Sequence, residues 1–228
     1  MNYRIIEDEY LLRGFIDWLP ELKDDEKYYI SLFARSKYCK NSGLKNDKQQ
    51  IRRTTSNKEF LYDKIKQMEC EIGSYKQNGV AISQESLVIY INPNPRSMEL
   101  AAKKGVIELT KLTQEKYSGY NPYNFMLNFA QTCSKRKLFC NIDFDNVDLE
   151  QTKEKINNLI NTECLTYLIT RGGFHVLVEY SKIEDKYIKS WYKNIMSLDG
   201  VDVKGDELMP IPGTYQGGFI PYLESYEK

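Results

Sequence analysis

Histidine is nearly absent from the 228 residues, which hold one, His175. That scarcity excludes paired-histidine metal chemistry of the kind a replication-initiator nickase uses. The five cysteines, Cys39, Cys70, Cys133, Cys140 and Cys164, are odd in number and show no C-x-x-C spacing. With one imidazole to help them, structural zinc is not expected, and the thiols are expected reduced and mostly packed inside. No run approaches the roughly 20 apolar residues of a membrane span. The first fifteen residues, MNYRIIEDEYLLRGF, are too charged for a secretory signal, so a cytoplasmic protein is expected. Charge of one sign is lacking too: 32 basic side chains face 32 acidic ones. No global field draws a polyanion, and any such site must be local. Repeats, low-complexity stretches and Gly/Ser linkers are missing as well.

What is present is enough apolar material, 41% of residues, to bury a real core. The chain reads as one compact α+β unit or two packed subdomains, an N-terminal α/β part over residues 1–134 and a second part over 135–228. The 18 tyrosines supply rings that could stack on bases, although core and boundary packing is their ordinary use. In the first half a strand is predicted over Tyr28–Ala34 and a helix over Lys58–Ile72. A second strand, Leu87–Ile91, is stopped by Asn92-Pro93-Asn94-Pro95, after which Ser97 caps a helix to about Leu112.

The second half gives a recognisable order. Leu138–Asp145 (LFCNIDFD) is a strand, and Leu149–Ile160 is a helix with Asp148 and Gln151 as a capping pair. Cys164–Thr170 and Phe174–Tyr180 are strands joined by Arg171-Gly172-Gly173, a hairpin signal. Ser181 and Glu184 form an S-x-x-E box before a helix carrying Tyr187, Ile188, Trp191 and Ile195, ended by Gly200. A last strand begins near Val201. The order is β-α-β-β-α-β, the split unit of RRM-like and ferredoxin-like sheets.

Alternation along a strand sets the polar residues. In LFCNIDFD the set Leu138, Cys140, Ile142 and Phe144 should face the helices, leaving Asn141, Asp143 and Asp145 on an open face. In FHVLVEY the same rule leaves His175 and Glu179 there. In the split unit the first strand lies between the third and fourth, so Asp143, Asp145, His175 and Asp202 should converge at one edge. A lone D-x-D belongs as readily to a turn; the convergence is what distinguishes it. Two carboxylates roughly 6 to 7 Å apart along a strand, with a third acid, can hold divalent ions that bridge phosphate oxygens for in-line phosphoryl transfer.

Three segments, Ile142-Asp143-Phe144-Asp145, Gly173-Phe174-His175 and Val201-Asp202, resemble the signatures of the archaeo-eukaryotic primase superfamily: hydrophobic-Asp-x-Asp, small-x-His and hydrophobic-Asp. The segment Pro212-Gly213-Thr214-Tyr215-Gln216-Gly217-Gly218 resembles the Pro-Gly-Thr stretch of its phage, plasmid and CRISPR-associated members. The likeness covers mainly residues 138 to 220. It implies a catalytic palm and a DNA or RNA primase-polymerase encoded by a bacterium, phage or plasmid. Two Mg²⁺ or Mn²⁺ ions would sit on Asp143, Asp145 and Asp202, with His175 on the triphosphate of the incoming nucleotide. Template, primer and nucleoside triphosphates are the implied partners, with replication, repair or CRISPR-associated proteins beside them. Met209-Pro210-Ile211 stands where members often carry a basic residue, so Arg171, beside Gly173 at the hairpin, and Lys204 are the candidates for a second phosphate-binding cation. Asp206 competes with Asp202 as third metal ligand.

For the template, the basic stretch Lys40, Lys45, Lys48, Arg52 and Arg53 offers phosphate contacts but reads more readily as a solvated surface loop; Arg96 and Lys135-Arg136-Lys137 are further candidates. The competing function is a non-catalytic RRM-like nucleic-acid-binding module. Such modules expose aromatic and basic residues on their central strands, where this chain has acids.

Overall fold

The computed structural model describes residues 1–39, 44, 46–111, 121–202 and 207–224, and these form an α+β architecture of two antiparallel five-stranded sheets sharing a core. In chain order the first elements are α1 (Glu9–Trp18), β1 (Glu26–Arg35), β2 (Lys48–Ser56), α2 (Leu61–Lys66), a short ribbon of β3 (Lys76–Gln77) and β4 (Val80–Ala81), β5 (Leu87–Ile91), β6 (Arg96–Ser97), α3 (Met98–Lys111) and α4 (Pro122–Thr132). Then come β7 (Phe139–Asp145), α5 (Leu149–Asn157), β8 (Leu165–Ile169), β9 (Gly173–Glu179), α6 (Trp191–Met196), β10 (Val201–Asp202), β11 (Met209–Pro210) and β12 (Tyr222–Leu223). Among the described residues no helix is long and apolar enough to cross a membrane.

The first sheet runs β11-β5-β1-β2, with β6 also on β1. β1 is buried on both faces, which is why it reads as a near-continuous apolar run. Tyr28, Ile30, Leu32 and Ala34 join Leu12 and Phe15 of α1 and Leu61 and Ile65 of α2. Tyr29 and Phe33 point the other way, to Val88, Tyr90 and Ala130 of α4. Each such side chain contributes on the order of 1.5–3 kcal/mol when fully buried.

The second sheet runs β10-β7-β9-β8-β12, so the four strands of the β-α-β-β-α-β segment take the expected order, with β7 between β9 and β10 and antiparallel to both. Ile142, Phe144, Phe174, Val176 and Val178 pack on Ile156 of α5 and on Trp191 and Ile195 of α6. The rings of Phe144 and Phe174 stack with centroids 5.0 Å apart. The opposite face is not open along its length. Phe139, Leu168, Leu177 and Leu223 are covered by the first sheet's core, and Trp18 meets Phe139 at 5.0 Å. Leu138, expected on the helical side, packs there too, because the strand starts one residue later.

Other expectations shift. The helix drawn over Lys58–Ile72 is regular only over Leu61–Lys66; beyond it the chain turns to meet the N-terminus, with Tyr3 N bonding Cys70 O and Ile72 N bonding Met1 O, and Phe60 and Ile72 are exposed. The Ser181/Glu184 box does not form. Ser181 donates to Glu179, Glu184 N donates to Asn161 Oδ1, and the helix begins only at Trp191. The Asp148 cap does form, accepting from Gln151 N at 2.9 Å. Of the cysteines, all free, Cys133 and Cys164 are buried while Cys39, Cys70 and Cys140 are only partly so. The boundary at 134/135 separates the sheets except that β11 returns to pair with β5.

The junction between the halves is pinned by polar groups. Asn94 Oδ1 accepts from Leu138 N at 2.7 Å and Phe139 N at 2.8 Å, and its Nδ2 donates to Phe139 O, so one buried side chain acts as a strand partner for the start of β7. Arg136 forks onto buried Glu26 at 2.7 and 2.9 Å.

Candidate active site

Sheet register builds the site. Asp202 of β10 is the cross-strand partner of Asp143 on β7, and Asp143 is the partner of His175 on β9. Cross-strand partners point to the same face, so three adjacent strands present an acid, an acid and the imidazole in one row. Asp145 lies two residues along β7 on that face, opposite Gly173. Glycine is required on both flanks of this strand end. A Cβ at 173 would stand 1.9 Å from Phe144 O. Gly200, at φ +82°, lets its carbonyl accept from Asp145 N at 2.9 Å.

His175 is 5% exposed, and its Nδ1 lies 2.9 Å from Asn141 Oδ1. The amide oxygen takes the Nδ1 proton, so the ring is fixed with Nε2 toward the cleft, 3.5 Å from Asp143 Oδ1. Burial, then the charges of Asp145 and Asp202, push the Asp143 carboxyl up to about 7. Lys37 and Arg35 oppose this shift, so the cations across the cleft reach Asp143 electrostatically.

The cleft, of about 480 Å³, falls within the range of roughly 300–1,000 Å³ that holds small-molecule ligands. Asp143, Asp145, His175 and Asp202 line one wall, and Arg35, Lys37, Tyr38 and Lys48 line the wall that faces it. Arg35, at the end of β1, pairs with Asp47 at 2.8 Å and donates to Tyr90 Oη at 2.9 Å. Lys48 lies over the rings of Phe33 and Tyr90, at 4.9 and 5.2 Å from their centroids. Tyr38 ties the walls together at the hairpin, because Gln216 donates to its hydroxyl and accepts from Arg171 N, while the Arg171 guanidinium stacks on the ring at 4.8 Å.

No family model, curated protein or solved structure matches the chain. The chemistry of the cleft therefore rests on its own residues. Among the described residues no three His, Cys, Asp or Glu side chains are already gathered as a cation shell. The donor set nevertheless fits a hard divalent ion. Its three carboxylates share one face, and the charges of Asp145 and Asp202, which add to burial in raising Asp143, are what a cation would relieve.

Asp143, Asp145, Asp202 and His175 thus come together. Gly173 serves backbone approach, and Arg171 stacks beside the cleft without lining it. Lys204 and Asp206, like Lys40 and Lys45, lie outside the described residues. Arg96 is buried at 3% exposure and pairs with Glu207, Lys135 pairs with Asp25 and Glu99, and Arg136 with Glu26, so each of these expected phosphate contacts already has a carboxylate partner. Lys137 lines the cleft but pairs with Glu207 at 3.1 Å. Sequence reasoning missed Arg35, Lys37 and Asn141 as site residues. Arg35 shares the parity of Tyr29 and Phe33 along β1, a signal that places its side chain on their face of the strand but not against β7.

Proposed function

We propose that the chain is a template-dependent nucleotidyltransferase, a primase-polymerase whose second sheet is an RRM-like palm of the archaeo-eukaryotic primase type packed with an N-terminal α/β subdomain. The observation that carries the reading is the Asp202–Asp143–His175 row, set opposite the cationic wall of Arg35, Lys37 and Lys48. A site with carboxylates on one side and cations on the other suits a polyphosphate that is bound through metal on its first side and directly on its second. Asp143 and Asp145 of β7 and Asp202 of β10 would hold two Mg²⁺ or Mn²⁺ ions. Bound there, the ions supply activation of a 3′-hydroxyl and neutralisation of the departing pyrophosphate.

The protein's own residues do the positioning. Asn141 Oδ1 holds the Nδ1 side of the His175 ring, so that Nε2 faces Asp143 and a phosphate oxygen in the cleft. Arg35 and Lys37 neutralise charge from the facing wall, and Tyr38, clamped by Arg171 and Gln216, fixes the gap between the walls. Acids on the central strands argue against a non-catalytic module, since without metal they repel phosphates.

The test is incorporation on a primed and an unprimed template with Mn²⁺ or Mg²⁺ and either deoxyribonucleotides or ribonucleotides. Wild-type protein extends, and Asp143→Ala, with unchanged circular dichroism, does not. Extension by Asp143→Ala at the wild-type rate with Mn²⁺ overturns the metal assignment.

A further inference from the structure

We infer that the edge of β2, leading away from the cleft along its seam with α4, is the track of a single nucleic-acid strand, with Arg53 as its cation and Tyr123 as its stacking platform. The inference rests on the polymerase reading, since it supplies the template path that reading requires. Residues 48–56, read as a possible solvated loop, are instead a strand at the sheet's edge, paired among the described residues with β1 alone.

Register sorts the basic run by face. Lys48, Gln50 and Arg53 are the partners of Arg35, Phe33 and Ser31, and so share the face of β1 that carries Tyr29. The register shifts beside Ile51, and Arg52 turns the other way to donate to Gln67 O. On the Tyr29 face Arg53 reaches α4, donating to Asn124 O at 2.7 Å and to Asn128 Oδ1. Gln50 donates to Tyr29 Oη and Ser31 Oγ, and Tyr29 donates to Gln131 of α4. The seam between β2 and α4 is therefore closed by a guanidinium, amides and hydroxyls.

Charge on this strip is one-sided. The run Lys48–Asn57, KQQIRRTTSN, has cations and no carboxylate, and Asn121–Thr132, NPYNFMLNFAQT, has no charge at all, in a chain holding 32 acids. Within these two segments a polyanion meets no carboxylate, Asp47 just before them being paired with Arg35, and the basic run continues from Lys48, which lines the cleft. Alternate residues of a strand step by about 7 Å, close to the spacing of phosphates along an extended single strand. Beside Asn124 at the start of α4, Tyr123 is 66% exposed, and its ring has a face to offer an unstacked base. A strip one edge strand wide fits a single strand better than a duplex, whose phosphates need a broad surface.

The test uses the full chain and a labelled oligothymidylate, followed by fluorescence anisotropy over a salt series. Arg53→Glu weakens binding at least about tenfold and lowers the log–log salt slope by about one. Tyr123→Ala weakens it about tenfold with the slope unchanged, and Tyr123→Phe restores it. Tyr123 is exposed enough that its loss cannot be blamed on unfolding. Unchanged affinity in both Arg53→Glu and Tyr123→Ala, or equal affinity for a duplex of the same length, overturns the track. Asp143→Asn separates the two readings: it binds the oligomer like wild type while incorporating nothing. If binding follows Arg53 and Tyr123 but the wild type never incorporates, the track stands and the polymerase reading falls. If incorporation holds and binding ignores both residues, the track alone falls.

Discussion

The two walls of the cleft are built by different means. The acid wall is part of a sheet: Asp143, Asp145, Asp202 and His175 stand where backbone hydrogen bonds of β7, β9 and β10 put them, with Gly173 and Gly200 allowing the strands to close in. The cationic wall is assembled from ends, the last residue of β1, the turn after it and the first residue of β2. Its side chains are placed by the Arg35–Asp47 pair and by rings under Lys48. Backbone register cannot yield by small amounts, whereas long side chains can. The acid wall should therefore fail all at once and the cationic wall by degrees.

The largest effect expected is at the acid wall. Asp143→Asn should cut incorporation by about a thousandfold or more while leaving the urea midpoint no lower than wild type, because it removes a carboxylate that burial and its neighbours disfavour. A lost fold would show that the acid row supports the sheet rather than the chemistry. Next in size is the anchor of that wall. Asn94→Ala leaves Leu138 N and Phe139 N buried without their partner and should cost about 3 kcal/mol in chemical denaturation. Stability unchanged by that substitution would mean that β7 needs no side-chain anchor.

The ion pair joining the halves comes third. Arg136 holds the Glu26 carboxyl below the usual carboxylate range, chiefly by its hydrogen bonds, and burial opposes this. A depressed folded-state pKa stabilises above the unfolded value, about 4.3, and the contribution disappears as pH falls through the folded value. Wild type should thus lose stability in acid with a slope that Glu26→Gln lessens, the variant being about 2 kcal/mol weaker at neutral pH. Equal acid slopes in both proteins would remove this pair from the account. Smallest is the cationic wall. Arg35→Ala should raise the KM for nucleotide about tenfold, with kcat nearly kept, and the defect should shrink at high salt. An all-or-none loss there would erase the distinction between the walls.

How much of this was legible in the sequence follows the same division. The strands of the second sheet, their alternation and the meeting of Asp143, His175 and Asp202 could be read from local pattern, because β-pleat parity and a short hairpin at Arg171–Gly173 leave few arrangements. Arg35 and Lys37 could not, since their place opposite the acids depends on how two sheets pack, and nothing nearby in the chain records that. Asn94 looked like turn material in Asn-Pro-Asn-Pro; its role as a strand surrogate appears only once β7 lies beside it. The helix before Gly200 read longer than it is because Tyr187 and Ile188 keep apolar spacing through turns, and Ile188 is exposed. Met209–Pro210 gave no strand signal at all, and its pairing with Tyr90 and Ile91 is imposed by the tertiary structure.

That late return has a temporal consequence. Met209–Pro210 completes one sheet at β5, and Tyr222–Leu223 completes the other at β8. During synthesis the β5 edge stays unpaired until residue 210 has left the ribosome and the β8 edge until residue 223, so both adhesive edges are bare together while the chain between β8 and β11 is made. The cleft, which Pro210 and Gln216 help to line, is completed late, and a ribosome stalled before that point would carry a fragment with bare strand edges.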